Sequence, residues 1–130
     1  MDPAAIPFDE TVRDFVLEDP RYPVEAYYFV RDGFDYAMRA HSDSADGHGA
    51  PRHLTGAELS EDLKEYALDE YGPMARFTLA TWNLRSTSDF GEIVYNLIKM
   101  GLFGKKKSDR REDFDGVFDL GKALDDPFKP

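Results

Sequence analysis

The sequence predicts a mainly α-helical domain: five main helices in a compact unit, a small C-terminal β-hairpin, and a second half laid out like a winged helix. Three observations predict it. Apolar side chains recur every three or four positions from Phe8 to Ile98, the period of helices that bury one face. Breaks fall where the chain must turn, at Asp19-Pro20, Gly72-Pro73 and Gly101, positions that end or restart helices. Beyond Gly101, Leu102-Phe103 and Val117-Phe118 are short apolar pairs separated by charged, turn-prone residues, the pattern of two short paired strands.

The first helix is expected to begin near Asp9, with Phe8, Val12, Phe15 and Val16 at helical spacing, and to stop before Asp19 because the residue preceding proline avoids the helical region. Pro23 suits the first turn of a second helix running to about Arg39. Val24, Tyr27, Tyr28, Val30, Phe34, Ala37 and Met38 occupy more than one of its faces, which marks it as the central helix. From His41 to Arg52 the glycines, proline and small polar residues predict a mobile surface loop.

Thr55-Gly56-Ala57-Glu58 has the form of a capping box, with Leu54 and Leu59 placed as a hydrophobic staple around it. The helix it opens carries Leu59, Leu63, Tyr66, Ala67 and Tyr71 on its apolar face and ends at Gly72. A short helix follows Pro73, with Met74, Phe77 and Thr81 on one stripe and Asn83 as a left-handed stop. Overlapping caps at Ser86 to Asp89 then start an amphipathic helix through Phe90, Ile93, Val94, Leu97 and Ile98. Residues from Leu120 onward are expected to add one turn and then fray. In outline this is one domain: a helical pair over 1–40, a loop over 41–52, the helical, winged-helix-like part over 53–120 and a tail over 121–130.

At 130 residues with 42% hydrophobic and 14% aromatic content, the chain is long enough to bury its own core. Cysteine is absent, which excludes a disulfide framework, thiolate zinc sites and a cysteine nucleophile. Met1 to Ala5 lack the basic and apolar regions of a leader, so a cytoplasmic location is expected, with no membrane contact. The net charge of -10 opposes indiscriminate attraction to nucleic acid or anionic lipid. Charge is uneven, however: Lys105, Lys106, Lys107, Arg110 and Arg111 stand against Asp109 alone between 105 and 111.

His41, His48 and His53, with Asp43 and Asp46, have metal-binding atom types but not the spacing of a zinc or calcium motif, so no metal site is assigned. Tyr27, Tyr28, Tyr36, Phe29 and Phe34 read as core rather than as a stacking platform. Glu58, Glu61, Asp62 and Glu65 read as the solvated start of a capped helix. No phosphate-binding glycine loop, nucleophile elbow or HExxH occurs, so no catalytic residue and no cofactor is assigned. In a winged helix the third helix often enters the DNA major groove. Here its exposed positions are expected to be Asp89, Glu92, Tyr95, Asn96 and Lys99, which would bring carboxylates to phosphate.

Several strings together resemble a known family. They are His53-Leu54-Thr55-Gly56, Tyr66-Ala67-Leu68, Tyr71-Gly72-Pro73-Met74-Ala75, Trp82 and the run Ser88 to Leu97, supported by Asp19-Pro20-Arg21-Tyr22, Glu25-Ala26-Tyr27 and Arg111-Glu112-Asp113-Phe114. The chain resembles uncharacterised proteins restricted mainly to Planctomycetes and Verrucomicrobia. The resemblance implies a bacterial cytoplasmic protein and supplies no activity, cofactor or site residue; against it, the His41 to Arg52 stretch looks like an insertion.

Two functions follow as expectations. The first is a non-enzymatic protein-interaction or adaptor module with an exposed apolar patch around Tyr95, Met100 and Phe103. The second is a nucleic-acid- or ribosome-associated factor touching phosphates of RNA or DNA through Lys105, Lys106, Lys107, Arg110 and Arg111.

Overall fold

A computed structural model of the chain describes residues 6–42, 54–106 and 109–130. The described backbone is mainly helical: α1 Phe8–Glu18, α2 Val24–Ser42, α3 Gly56–Tyr71, α4 Ala75–Thr81, α5 Thr87–Lys99 and α6 Leu120–Asp125, with 3-10 turns at Gly72–Met74, Arg111–Phe114 and Asp126–Phe128. Among the described residues no helix is long and apolar enough to cross a membrane.

Local chemistry accounts for most of these boundaries. The Thr55 hydroxyl accepts from the Glu58 amide at 3.1 Å, and the Glu58 carboxylate accepts from the Thr55 amide at 3.1 Å, so the first turn of α3 is satisfied from both sides. At the start of α5 one oxygen of Asp89 accepts from the Arg85 and Ser86 amides at 2.8 and 3.0 Å. Its other oxygen accepts from the Tyr22 hydroxyl at 2.6 Å, which ties the α1–α2 connection to this cap. Asn83 stands at φ 65, in the left-handed region that asparagine tolerates, and ends the α4 segment.

The core is centred on α2, which touches α1, α3 and α5. Tyr27 and Val30 are fully buried in it with Leu63 of α3, Leu79 of α4 and Ile93 of α5. The Phe29 ring gathers those of Tyr66, Trp82 and Phe90 at 5.5, 6.0 and 6.3 Å, an aromatic cluster built from α2, α3, α5 and the α4–α5 connection. Inside α2, Gly33 brings α3 close: a Cβ there would lie 2.4 Å from a Leu63 methyl.

Several expectations are corrected by this arrangement. Among the described residues there is no strand, so the C-terminal hairpin expected for a winged-helix-like second half does not form. The reason lies in where the backbone donors of this stretch go. Gly101, at φ 79, turns the chain out of α5, and the amides of Leu102 and Phe103 return to the Leu97 carbonyl at 2.9 and 3.2 Å. The amides of Lys106 and Arg110 are captured by the side chains of Asp109 and Asp113 at 2.8 and 3.1 Å, and that of Val117 by the Thr87 hydroxyl at 3.2 Å. Donors bound to local side chains are not available for a ladder.

In place of a hairpin, the Arg111–Phe114 turn packs on α3 and α5. Two glycines make room for it. A Cβ on Gly56 would meet the Asp113 backbone at 2.9 Å, and one on Gly91 would meet Phe114 at 2.8 Å. Phe114 is 5% exposed.

Three further expectations change. The α2 helix continues through His41 to Ser42, past the loop's expected start, while residues 43–53 with His48 and His53 lie outside the described residues. Met74 and Phe77 of the α4 stripe face outward, 55% and 64% exposed, because the short α4 seats Ala75 and Leu79 inward. Asn96, expected on the surface, is buried and donates to the Tyr27 hydroxyl at 3.0 Å. The tail forms α6 against α3 and α4, with Leu120 and Leu124 in the core.

Candidate functional site

The end of α5, the connection after it and the beginning of α3 enclose a cleft of about 390 Å³. Its wall from α2 is Phe34 and Asp35; α3 and the residue preceding its cap contribute Leu59, Gly56 and Leu54; α5 contributes Val94, Tyr95 and Ile98. The post-α5 connection closes it through Leu102, Phe103 and Gly104, then Asp109, Arg110, Asp113 and Phe114. The Phe103 ring rests on Phe34 with centroids 4.9 Å apart, joining the connection to α2. The volume lies toward the lower end of the range of about 300–1,000 Å³ found for ligand pockets.

Tyr95 of α5 is among the lining residues. Its hydroxyl is shut off from solvent and is the one buried side-chain polar atom without a hydrogen-bond partner among the described residues. Burial pushes the phenol above its ordinary pKa, and the nearby Asp109, Asp113 and Glu112 carboxylates push it the same way. The proton therefore stays on the oxygen at neutral pH, and the group is a hydrogen-bond donor without an acceptor among the described residues.

The cleft unites Tyr95, Phe103 and Arg110, taken from two different groups of sequence candidates, and leaves the others elsewhere. Tyr95, Met100 and Phe103 are half-buried against the core rather than an exposed patch. Lys105 and Lys106 are exposed, and Lys107 lies outside the described residues. Arg111 is occupied: its guanidinium donates to both oxygens of Asp115 at 3.0 and 2.9 Å and reaches Glu92 at 3.3 Å. Glu92 in turn pairs with Arg21 at 3.2 Å. The hydrogen bonds from Arg111, and after them one from Ser88, hold the Asp115 carboxyl below its ordinary pKa. Arg110 has its side chain 72% exposed beside Asp113, at 3.9 Å. Of the described cations, Arg111 is thus compensated by Asp115 and Glu92, and Arg110 lies beside Asp113.

The Nε2–H of His41 donates to the Asp62 carboxylate at 2.8 Å, joining the end of α2 to α3. Asp35, Leu54, Leu59, Asp113 and Phe114 were not singled out as site residues by sequence. Gly56 and Gly91, which admit the 111–114 turn to the helices, were the one available sign of this close approach. No protein-family model, no curated protein and no solved structure matches the chain.

Proposed function

We propose that the protein is a non-enzymatic protein-interaction module of the adaptor kind, and that the cleft between α2, α3 and α5 seats an apolar side chain of its partner. The observation that carries this reading is the lining: Phe34, Leu54, Leu59, Val94, Ile98 and Phe103 surround a space of about 390 Å³, too small for a helix and suited to one anchoring residue. Buried, well-shaped pockets that accept a single aromatic or aliphatic anchor supply much of the energy of protein contacts. The nucleic-acid alternative is less well supported, because Arg111 is already held by Asp115 and Glu92.

Gly104 offers a direct test. A Cβ at this cleft residue meets no atom within 4 Å, so Gly104→Trp can place an indole over the opening without displacing the fold. A photo-reactive benzoylphenylalanine at the exposed rim position 35 should cross-link one protein partner in the native cell, and the adduct should vanish in the Gly104→Trp background at unchanged melting temperature. Persistence of the adduct, or cross-linking to RNA in its place, would overturn the reading.

A further inference from the structure

The α4 helix contributes no wall to the cleft, yet it carries a surface of its own. Met74 and Phe77 stand exposed on it. No Asp or Glu occurs between Glu70 and Asp89, although 26 of the 130 residues are acidic. The charges of that stretch are Arg76 and Arg85, and both line a cavity of about 300 Å³ shared by α4, the α4–α5 connection and α6. Buried Leu84, Leu120 and Leu124 are its apolar part, and Asp119 is the carboxylate of its lining. Ala80 lines it from α4 and lies three positions after Phe77, so the exposed ring adjoins the cavity on the helix surface.

The two arginines differ in what holds them. Arg76 pairs with Asp125, and its guanidinium lies against Gly121, where a Cβ would come within 3.0 Å of it. Arg85 instead donates to the side-chain oxygen of Asn83, a neutral group, and has no carboxylate at ion-pair distance among the described residues. Asn83 is itself fixed, its amide donating to the Arg21 carbonyl at 3.1 Å. Asp119 is engaged elsewhere, accepting from the Lys122 amide at 3.1 Å as the cap of α6. Arg85 is therefore a positioned cation with donors to spare, and a carboxylate can take two of them at once. We infer that this face of α4 docks an acidic segment of a partner protein, with a carboxylate on Arg85 and an aromatic or aliphatic side chain against Phe77 and Met74. A basic segment would bring like charge to both arginines. The net charge of -10 repels an acidic segment over most of the molecule, so the stretch without acids is where one can settle.

The probe is a short fluorescein-labelled peptide of aspartate and phenylalanine, titrated with the full chain and followed by anisotropy, beside an asparagine–phenylalanine and an aspartate–serine peptide. The first should bind, and more weakly as salt rises. Arg85→Gln should weaken it about tenfold, the scale of one charge-assisted contact, and Phe77→Ser should weaken it as well. Both side chains are exposed, so the melting temperature of each variant should stay with the parent. The asparagine and serine peptides should bind more weakly than the first, and Gly104→Trp, which covers the cleft, should leave binding unchanged. Equal affinity in Arg85→Gln, or equal affinity of the asparagine peptide, overturns the inference, as does loss of binding in Gly104→Trp, which would place the peptide in the cleft. Absence of binding, or capture by phosphatidylserine vesicles in place of the peptide, overturns it too and leaves the cleft reading intact.

Discussion

Tyr95→Phe should make the protein more stable, an uncommon direction for a core-facing substitution. The change removes one oxygen and leaves the ring where it packs. In the native protein that oxygen is sealed from water and has no partner among the described residues, whereas in the unfolded chain it is hydrated. A buried hydroxyl left without a bond costs about 1–3 kcal/mol. Taking the low end, since a ring that borders a cleft relaxes more easily than one in the core, the variant gains about 1 kcal/mol. For a chain of this size that is a rise in melting temperature of roughly 3–5 °C. The assay is thermal unfolding by circular dichroism with parallel urea titration, in which the midpoint should move up at constant slope. Tyr27→Phe is the internal control with the opposite sign: its hydroxyl accepts from buried Asn96 at 3.0 Å, so its removal strands an amide and should cost about 1–2 kcal/mol. A loss of about 1 kcal/mol or more in Tyr95→Phe would mean that the hydroxyl is satisfied and would refute this reasoning.

Gly91→Ala should cost about 1–3 kcal/mol, the range for overpacking a filled site, because its Cβ would lie 2.8 Å from Phe114. Amide exchange should locate the damage in the 110–115 turn, and uniform loosening of all helices would count against a local clash. The Arg111–Asp115 pair predicts an acid-sensitive component. Asp115 has a folded pKa below the ordinary 3.8, so its contribution is complete above that value and lost as pH falls through the folded one. Urea midpoints followed from pH 5 to 3 should therefore fall less steeply in Arg111→Gln than in the parent protein. Equal slopes would show that the pair adds nothing to acid stability.

What the sequence determined by itself is the set of helices from Phe8 to Lys99, and the reason is that a helix is a local structure. Its hydrogen bonds span four residues, and its ends are set by neighbours such as the Thr55–Glu58 box, the Asp19-Pro20 stop and Asn83 at φ 65. Whatever required two distant segments to meet was decided by tertiary structure. Leu102-Phe103 and Val117-Phe118 have the composition of strands, yet strand pairing needs free amides on both sides, and the Leu97 carbonyl holds those of Leu102 and Phe103 while the Thr87 hydroxyl holds that of Val117. Asn96 is polar and lies on a helix, but its burial follows from the Tyr27 hydroxyl, 69 residues away, offering it a partner. The outward Met74 and Phe77 reflect the placing of α4 by Ala75 and Leu79. The cleft is the extreme case: its walls come from α2, α3, α5 and the connection after α5, and no local pattern encodes a space that exists only where separate segments stop short of touching.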